Sequence, residues 1–179
     1  MDSRDAVGLL SSAIHTRGGT WADLGAGDGV FTRALAEVLG TGARIYAVDR
    51  DVHSLASLER WAASSIHDVV TMTADFTRPF ELPDFGDAML DGILLANSLH
   101  FVRDADVVLA RLVESVKRGG HVVLVEYDRR AASQWVPYPV SSRQLSALAG
   151  AAGLSPFEVT ATLPSAFGGE LYTATARKS

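Results

Sequence analysis

Thr20-Trp21-Ala22-Asp23-Leu24-Gly25-Ala26-Gly27-Asp28-Gly29 runs from a short apolar stretch into a Gly-x-Gly-x-Gly turn. An amphipathic helix pattern follows, with Val30, Phe31, Leu35, Val38 and Leu39 at its apolar positions. Strand, glycine turn and helix, in that order, is how an α/β sheet opens a nucleotide site. Glycines allow positive φ and let a ligand approach without meeting a Cβ. The helix N-terminus behind them presents unpaired N–H groups. The spacing at 25, 27 and 29 differs from a dinucleotide fingerprint, whose third glycine would stand at position 30, here Val30. Asp23, two residues before the first glycine, opposes a pyrophosphate and suits a ligand with a cationic amino group.

The run Asp23-Leu24-Gly25-Ala26-Gly27-Asp28-Gly29 resembles motif I of the class I S-adenosylmethionine (SAM) dependent methyltransferases. The resemblance extends from about Thr20 to the C-terminus. It implies one methyltransferase domain over residues 1–179, with SAM as cofactor and S-adenosylhomocysteine as product. It also implies a three-layer, Rossmann-like α/β sandwich. Its seven-stranded, mostly parallel sheet has the order 3-2-1-4-5-7-6, with strand 7 antiparallel. The motif I positions Asp23, Gly25, Ala26, Gly27 and Gly29 carry over as cofactor-binding candidates.

Composition agrees with an ordinary globular chain: 179 residues, 47% hydrophobic and 21% charged. A net charge of −5 argues against a general nucleic-acid binder. The chain has no cysteine, which removes disulfides, thiolate metal sites and cysteine-held iron–sulfur clusters, and radical SAM chemistry with them. No metal is expected. No apolar run is long enough to span a membrane, and Met1-Asp2-Ser3-Arg4-Asp5 lacks the regions of a signal peptide. The default expectation is a cytoplasmic protein.

Residues 5–14 read as a short amphipathic helix that either covers the ligand site or packs on the sheet edge. Arg44-Ile45-Tyr46-Ala47-Val48-Asp49 reads as the second strand. An acid at its end suits two ribose hydroxyls, because neighbouring strands end at one edge. The competing role for Asp49 is to cap the next helix, for which Asp51 is better placed. Arg50 and Val52 flank the adenine in this reading. Residues 69–76 read as the third strand, ending on Asp75-Phe76. The resemblance implies that Asp75 receives the adenine amino group, with Phe76 against the ring or the sheet.

Residues 90–97 form an apolar fourth strand, as a central parallel strand should. Asn97-Ser98-Leu99-His100-Phe101-Val102 then resembles motif IV of small-molecule methyltransferases and not the Asn-Pro-Pro-Tyr of amide and adenine methylators. Asn97 is expected at the methionine end of the cofactor. His100 is the sharpest acid–base candidate by its intrinsic pKa, with Glu126 and Tyr127 beside it at the end of the fifth strand, residues 121–127. A helix is expected over residues 104–117, capped by Asp104 and broken by Arg118-Gly119-Gly120. His121 opens the fifth strand at the far edge and reads as structural. The irregular run of residues 128–139 carries two arginines and two aromatics. It is either an acceptor wall or a loop whose Trp135 packs on a helix. A helix over residues 141–152, stopped by Gly153, and strands over 155–163 and 170–177, joined by a loop over 164–169, complete the chain.

The activity implied is methyl transfer to an O, N or C nucleophile of a small-molecule acceptor. A sulfonium is already a good donor, so proximity and orientation do most of the work. With short loops, a second subunit of a homodimer could complete the acceptor pocket. Two rivals stand beside this: a non-catalytic SAM-binding partner or regulatory module, and an NAD-dependent oxidoreductase. The glycine spacing and the acidic turn oppose the second rival.

Overall fold

The computed structural model describes residues 1–86, 88–165 and 168–179. The sequence-level expectation for the loop over 164–169 falls partly on Ala166 and Phe167, outside the described residues. The chain runs α1 (Ser3–Ser11), β1 (Gly19–Leu24), α2 (Val30–Leu39), β2 (Ala43–Asp49), α3 (Val52–Ser64), β3 (Asp68–Thr73), β4 (Leu90–Ala96), α4 (Ala105–Glu114), β5 (Val116–Asp128), α5 (Leu145–Ala152), β6 (Glu158–Pro164) and β7 (Glu170–Arg177). Short 3-10 turns at Leu99–Phe101 and Ser142–Gln144 precede α4 and α5.

The strands form one seven-stranded sheet in the order β3-β2-β1-β4-β5-β7-β6. The first five strands of that order are parallel to their neighbours, and β7 is antiparallel to both β5 and β6. The sheet is covered on both faces. Leu9, Leu10, Phe31 and Leu35 from α1 and α2 pack on Trp21, Ile45, Leu94 and Val123. Leu109, Leu112, Leu145 and Leu148 from α4 and α5 pack on Ala22, Ile93, Leu95 and Val122 on the other face. Alternating strand residues divide between these two cores, as the period of two demands. The layers, strand order and antiparallel β7 are those the motif I resemblance implied.

Element ends differ from the sequence reading for local reasons. α1 begins at Ser3 because the Asp2 carboxylate accepts the Asp5 N–H at 2.8 Å. It packs against α2 and not over the glycine turn. β3 stops at Thr73, three residues early, because the Asp75 carboxylate takes both the Thr77 N–H and its hydroxyl and turns the chain. α4 ends at Glu114, not Lys117. The Leu90 N–H bonds the Ser115 carbonyl at 2.8 Å, which draws Val116 into the sheet. Residues 117–120 then lie within a register irregularity of β5. Asp104 stands at the N-cap of α4, yet its side chain makes no capping bond. The 3-10 turn Ser142–Gln144, with Ser141 as its N-cap in a Ser141–Gln144 capping box, precedes α5. β6 starts at Glu158 because Pro156 has no N–H to extend the ladder that Ser155 opens on Arg177. Among the described residues, no helix is long and apolar enough to cross a membrane.

Candidate active site

The carboxyl ends of the parallel strands meet at the glycine turn. The N–H groups of Gly25 and Ala26 both donate to the Val48 carbonyl, at 2.8 and 3.0 Å, which anchors the turn to β2. The three glycines do different work. A Cβ on Gly25 (φ +87°) would stand 2.4 Å from the Ser98 Cβ, and one on Gly29 (φ +87°) 2.5 Å from Leu58. A Cβ on Gly27 (φ +55°) would meet nothing within 4 Å. Gly25 and Gly29 are therefore glycines for packing, whereas Gly27 keeps open space beside the turn.

A cleft of about 550 Å³ opens there, within the usual size of a small-molecule site. Gly25, Asp49, Arg50, Asp75, Phe76 and Asn97 of the sequence candidates line it. Asp49 closes β2 with both carboxylate oxygens occupied by backbone: Oδ2 accepts the Gly27 N–H and Oδ1 the Asp51 N–H, each at 2.8 Å. Asp51, not Asp49, caps α3 by accepting the His53 N–H. The carboxyl of Asp75 sits below the usual carboxylate range, chiefly through the Thr77 hydroxyl bond. Phe76 is buried at the cleft wall, and its carbonyl accepts the Arg111 guanidinium at 2.7 Å. Arg50 is exposed at the rim.

Asp23, Ala26, Gly27 and Gly29 lie in or beneath the turn and not among the residues that line the cleft. Asp23 is 1% exposed; its Oδ2 accepts the Thr32 hydroxyl at 2.6 Å, and its Oδ1 has no partner. Burial pushes this carboxyl up to about 7, with the Thr32 bond acting against the shift and the Asp49 charge adding to it. The Asn97 Oδ1 is likewise buried without a partner, and Asn97 itself adopts φ +53°. The Ser98 hydroxyl donates to the Leu24 carbonyl at 2.6 Å and ties the end of β4 to the end of β1.

His100, Glu126 and Tyr127 do not line the cleft. His100 is 2% exposed and Glu126 fully buried. The His100 Nδ1 lies 2.6 Å from Glu126 Oε2, while Glu126 Oε1 accepts the backbone N–H groups of Leu99 and His100 at 2.9 and 3.2 Å. The side chain of Glu126 thus holds the 3-10 turn after β4. Tyr127 packs against the core on the α1–α2 side, with its ring centre 5.9 Å from that of His100 and the Arg130 guanidinium 4.6 Å from it. Trp135 does not pack on a helix: it is 70% exposed and lines the cleft together with Phe101 and Val102. Sequence reasoning missed Asp51, Ser54, Ala74 and Thr77 as cleft residues and gave Ser98, Phe101 and Val102 no role of their own within the segment after β4. Only their positions just after β2, β3 and β4 could have signalled them. A second cavity of about 500 Å³ lies under residues 78–86 and contains none of the candidate residues.

A family model described as "Methyltransferase domain" matches residues 22–122, from the strand before the glycine turn into β5. The chain belongs to this methyltransferase family. Curated protein sequences contain no match to it. Solved structures share its fold at low identity. A SAM dependent methyltransferase from Aquifex aeolicus is 17% identical, covering 98% of this chain and 90% of its own, with a TM-score of 0.75. The magnesium protoporphyrin IX methyltransferase from Synechocystis PCC 6803, solved with bound SAM, is 18% identical over 99% of this chain and 78% of its own, at 0.74. The 1,6-didemethyltoxoflavin-N1-methyltransferase of Burkholderia thailandensis, solved with its substrate and S-adenosylhomocysteine, is 23% identical over the same shares, at 0.74. The methyltransferase thus has the class I Rossmann-like fold, and its matched region contains the glycine turn, Asp49, Asp75 and Asn97.

Proposed function

We propose that the cleft binds SAM and that this methyltransferase passes the methyl group to a small-molecule acceptor by holding it in line, without a general base. The observation that carries the reading is one shared wall: Gly25 after β1, Asp49 closing β2 and Asn97 after β4 border the same cleft. The residues fit the group. Asn97, on the cleft wall, has a buried Oδ1 acceptor without a protein partner, and a ligand ammonium suits such an acceptor; Asp23 lies beneath the turn and acts on that ammonium only through its charge. Each Asp49 oxygen accepts one backbone N–H and keeps a lone-pair site for a ribose hydroxyl. Asp75, held ionised, can receive an adenine amino group. Gly27 leaves the turn open to the ligand.

When bound, SAM supplies an electrophilic methyl carbon on a sulfonium. The chain's part is positional. β3 and β2 bring Asp75 and Asp49 to one end of the cleft, and β4 brings Asn97, Ser98 and Phe101 to the other. The acceptor enters at the β4–β5 end. The lining there is Asn97, Ser98, Phe101, Val102 and Trp135, with no carboxylate or imidazole among the described residues. Fixing two reactants in attack geometry lowers a barrier by roughly 7–11 kcal/mol, enough for a reactive donor. His100 and Glu126 serve by shaping the turn that carries Asn97 and Phe101.

The test is calorimetry with SAM, S-adenosylhomocysteine and NAD, followed by a labelled-methyl screen of metabolite pools. Binding of the two adenosyl ligands and not NAD, with label appearing in a small molecule, is the expected outcome. NAD binding alone would refute the reading. Adenosyl-ligand binding with no labelled product would favour the non-catalytic module.

A further inference from the structure

We infer that the acceptor is a planar aromatic compound, received against Phe101 and Trp135 at the β4–β5 end of the cleft, an inference that rests on the SAM reading above. The strand order assigns the acidic residues to one half of the cleft and its two exposed aromatic rings to the other; Phe76, the third aromatic of the lining, is buried after β3. Asp49, Asp51 and Asp75 follow β2 and β3, whereas Phe101 and Trp135 follow β4 and β5.

Both rings stand in water. Phe101 is 48% exposed and Trp135 70%. Trp135 is not on a loose tail. Ser133 and Val136 exchange backbone hydrogen bonds at 3.0 and 3.2 Å, so Trp135 sits at the tip of a closed turn. Val136 beside it is 1% exposed and anchors that turn in the core. The Tyr138 N–H then donates to the His100 carbonyl at 2.9 Å, tying the Trp135 loop to the 3-10 turn that carries Phe101. Arg103 braces the same junction, with its guanidinium 5.7 Å from the Tyr138 ring centre. Two large apolar rings held out of the core by hydrogen-bonded turns, on one cleft wall, mark a surface for an apolar partner. Flat rings select flat ligands through offset or edge-to-face stacking. Val102 adds an aliphatic floor.

The same wall restricts the nucleophile. With no base lining that half, the acceptor must arrive with a free lone pair, as a ring nitrogen or an acidic phenol does at neutral pH. Its lone pair forms the bond to the methyl carbon. The methyl–sulfur bond breaks and its electron pair stays on sulfur, which becomes a neutral thioether. A ring nitrogen becomes an N-methyl cation; a phenolate becomes a neutral ether. No proton passes to the protein.

The test uses the 179-residue chain saturated with S-adenosylhomocysteine and two probes of one carbon skeleton, planar 2-naphthol and puckered decahydro-2-naphthol. Binding is read by calorimetry and by tryptophan fluorescence. Wild type should bind 2-naphthol at least tenfold more tightly. Trp135→Ala should erase that preference, and Trp135→Phe should restore most of it, each protein being compared at its own saturation with S-adenosylhomocysteine. Equal affinity for the two probes, or a preference that survives Trp135→Ala, would overturn the aromatic acceptor alone. Failure of wild type to bind S-adenosylhomocysteine would overturn the SAM reading beneath it, and the inference with it.

Discussion

Glu126 offers the sharpest separation of chemistry from architecture. Its Oε1 accepts two backbone N–H groups and its Oε2 meets the His100 ring nitrogen at 2.6 Å, with both side chains buried. Glu126→Ala would strand three buried polar groups at the start of the turn. A stranded buried polar group costs about 1–3 kcal/mol, so the three together cost roughly 3–5 kcal/mol at the lower end of that range. For a domain of this size that lowers Tm by roughly 6–20 °C, at about 2–4 °C per kcal/mol. Glu126→Gln keeps the shape and one oxygen for the two N–H groups. The imidazole can change tautomer to accept from the new amide. Only charge assistance is lost, so about 1–2 kcal/mol is expected. Urea titration of both variants, with single-turnover methyl transfer on the folded Gln variant and on His100→Gln, reads the outcome. Turnover in those two should stay within about tenfold of wild type, because neither group lines the cleft. A rate loss of 10²-fold or more with unchanged stability and SAM affinity would refute this and restore His100 or Glu126 as a general base.

Three other perturbations bear on the turn and the buried charges. Gly25→Ala, whose Cβ would strike Ser98, should destabilise the fold by more than about 2 kcal/mol in urea titration, whereas Gly27→Ala should cost only about 1 kcal/mol of backbone strain and weaken S-adenosylhomocysteine binding. A cationic amino group near Asp23 would lower its pKa from about 7, so affinity should rise as pH climbs through that value, and Asp23→Asn should flatten the dependence in pH-resolved calorimetry. Without ligand the sign reverses: the unfolded carboxyl releases its proton at lower pH than the folded one, so Asp23 erodes stability as pH rises from about 4 to 7. At the far edge of the sheet, burial, helped by Arg177 and His15, lowers His121 to about 4. Its contribution to stability is complete above the unfolded value of 6.5 and is lost as pH falls towards 4, a loss that His121→Gln should reduce in acid unfolding curves.

The β1–turn–α2–β2 stretch was legible because each of its signals is local: apolar runs, glycines at fixed offsets and an acid closing a strand. The order of the remaining strands came from the family resemblance and not from periodicity. Boundaries failed where a long-range bond decided them. The Leu90–Ser115 bond ends α4 early, and no pattern in residues 104–117 announces it. The cleft was half visible. Asp49 closes β2 and Asp75 stands two residues past β3, where position alone suggests a role. His100 was the attractive residue by chemistry, yet its pairing with Glu126 spans 26 residues of sequence and two strands. An imidazole with a free face and one committed to a buried carboxylate look alike in one dimension. Trp135 was ambiguous for the same reason, since exposure is a property of the folded chain.

The most direct measurement is the affinity of S-adenosylhomocysteine for wild type and for Asp49→Ala, by calorimetry on proteins shown to be folded. The account predicts one site per chain in wild type. It predicts roughly 10- to 150-fold weaker binding in the variant, the equivalent of about 1.5–3 kcal/mol for charge-assisted hydrogen bonds lost to the ribose. Equal affinity in a folded Asp49→Ala protein, or no binding to wild type, would contradict it.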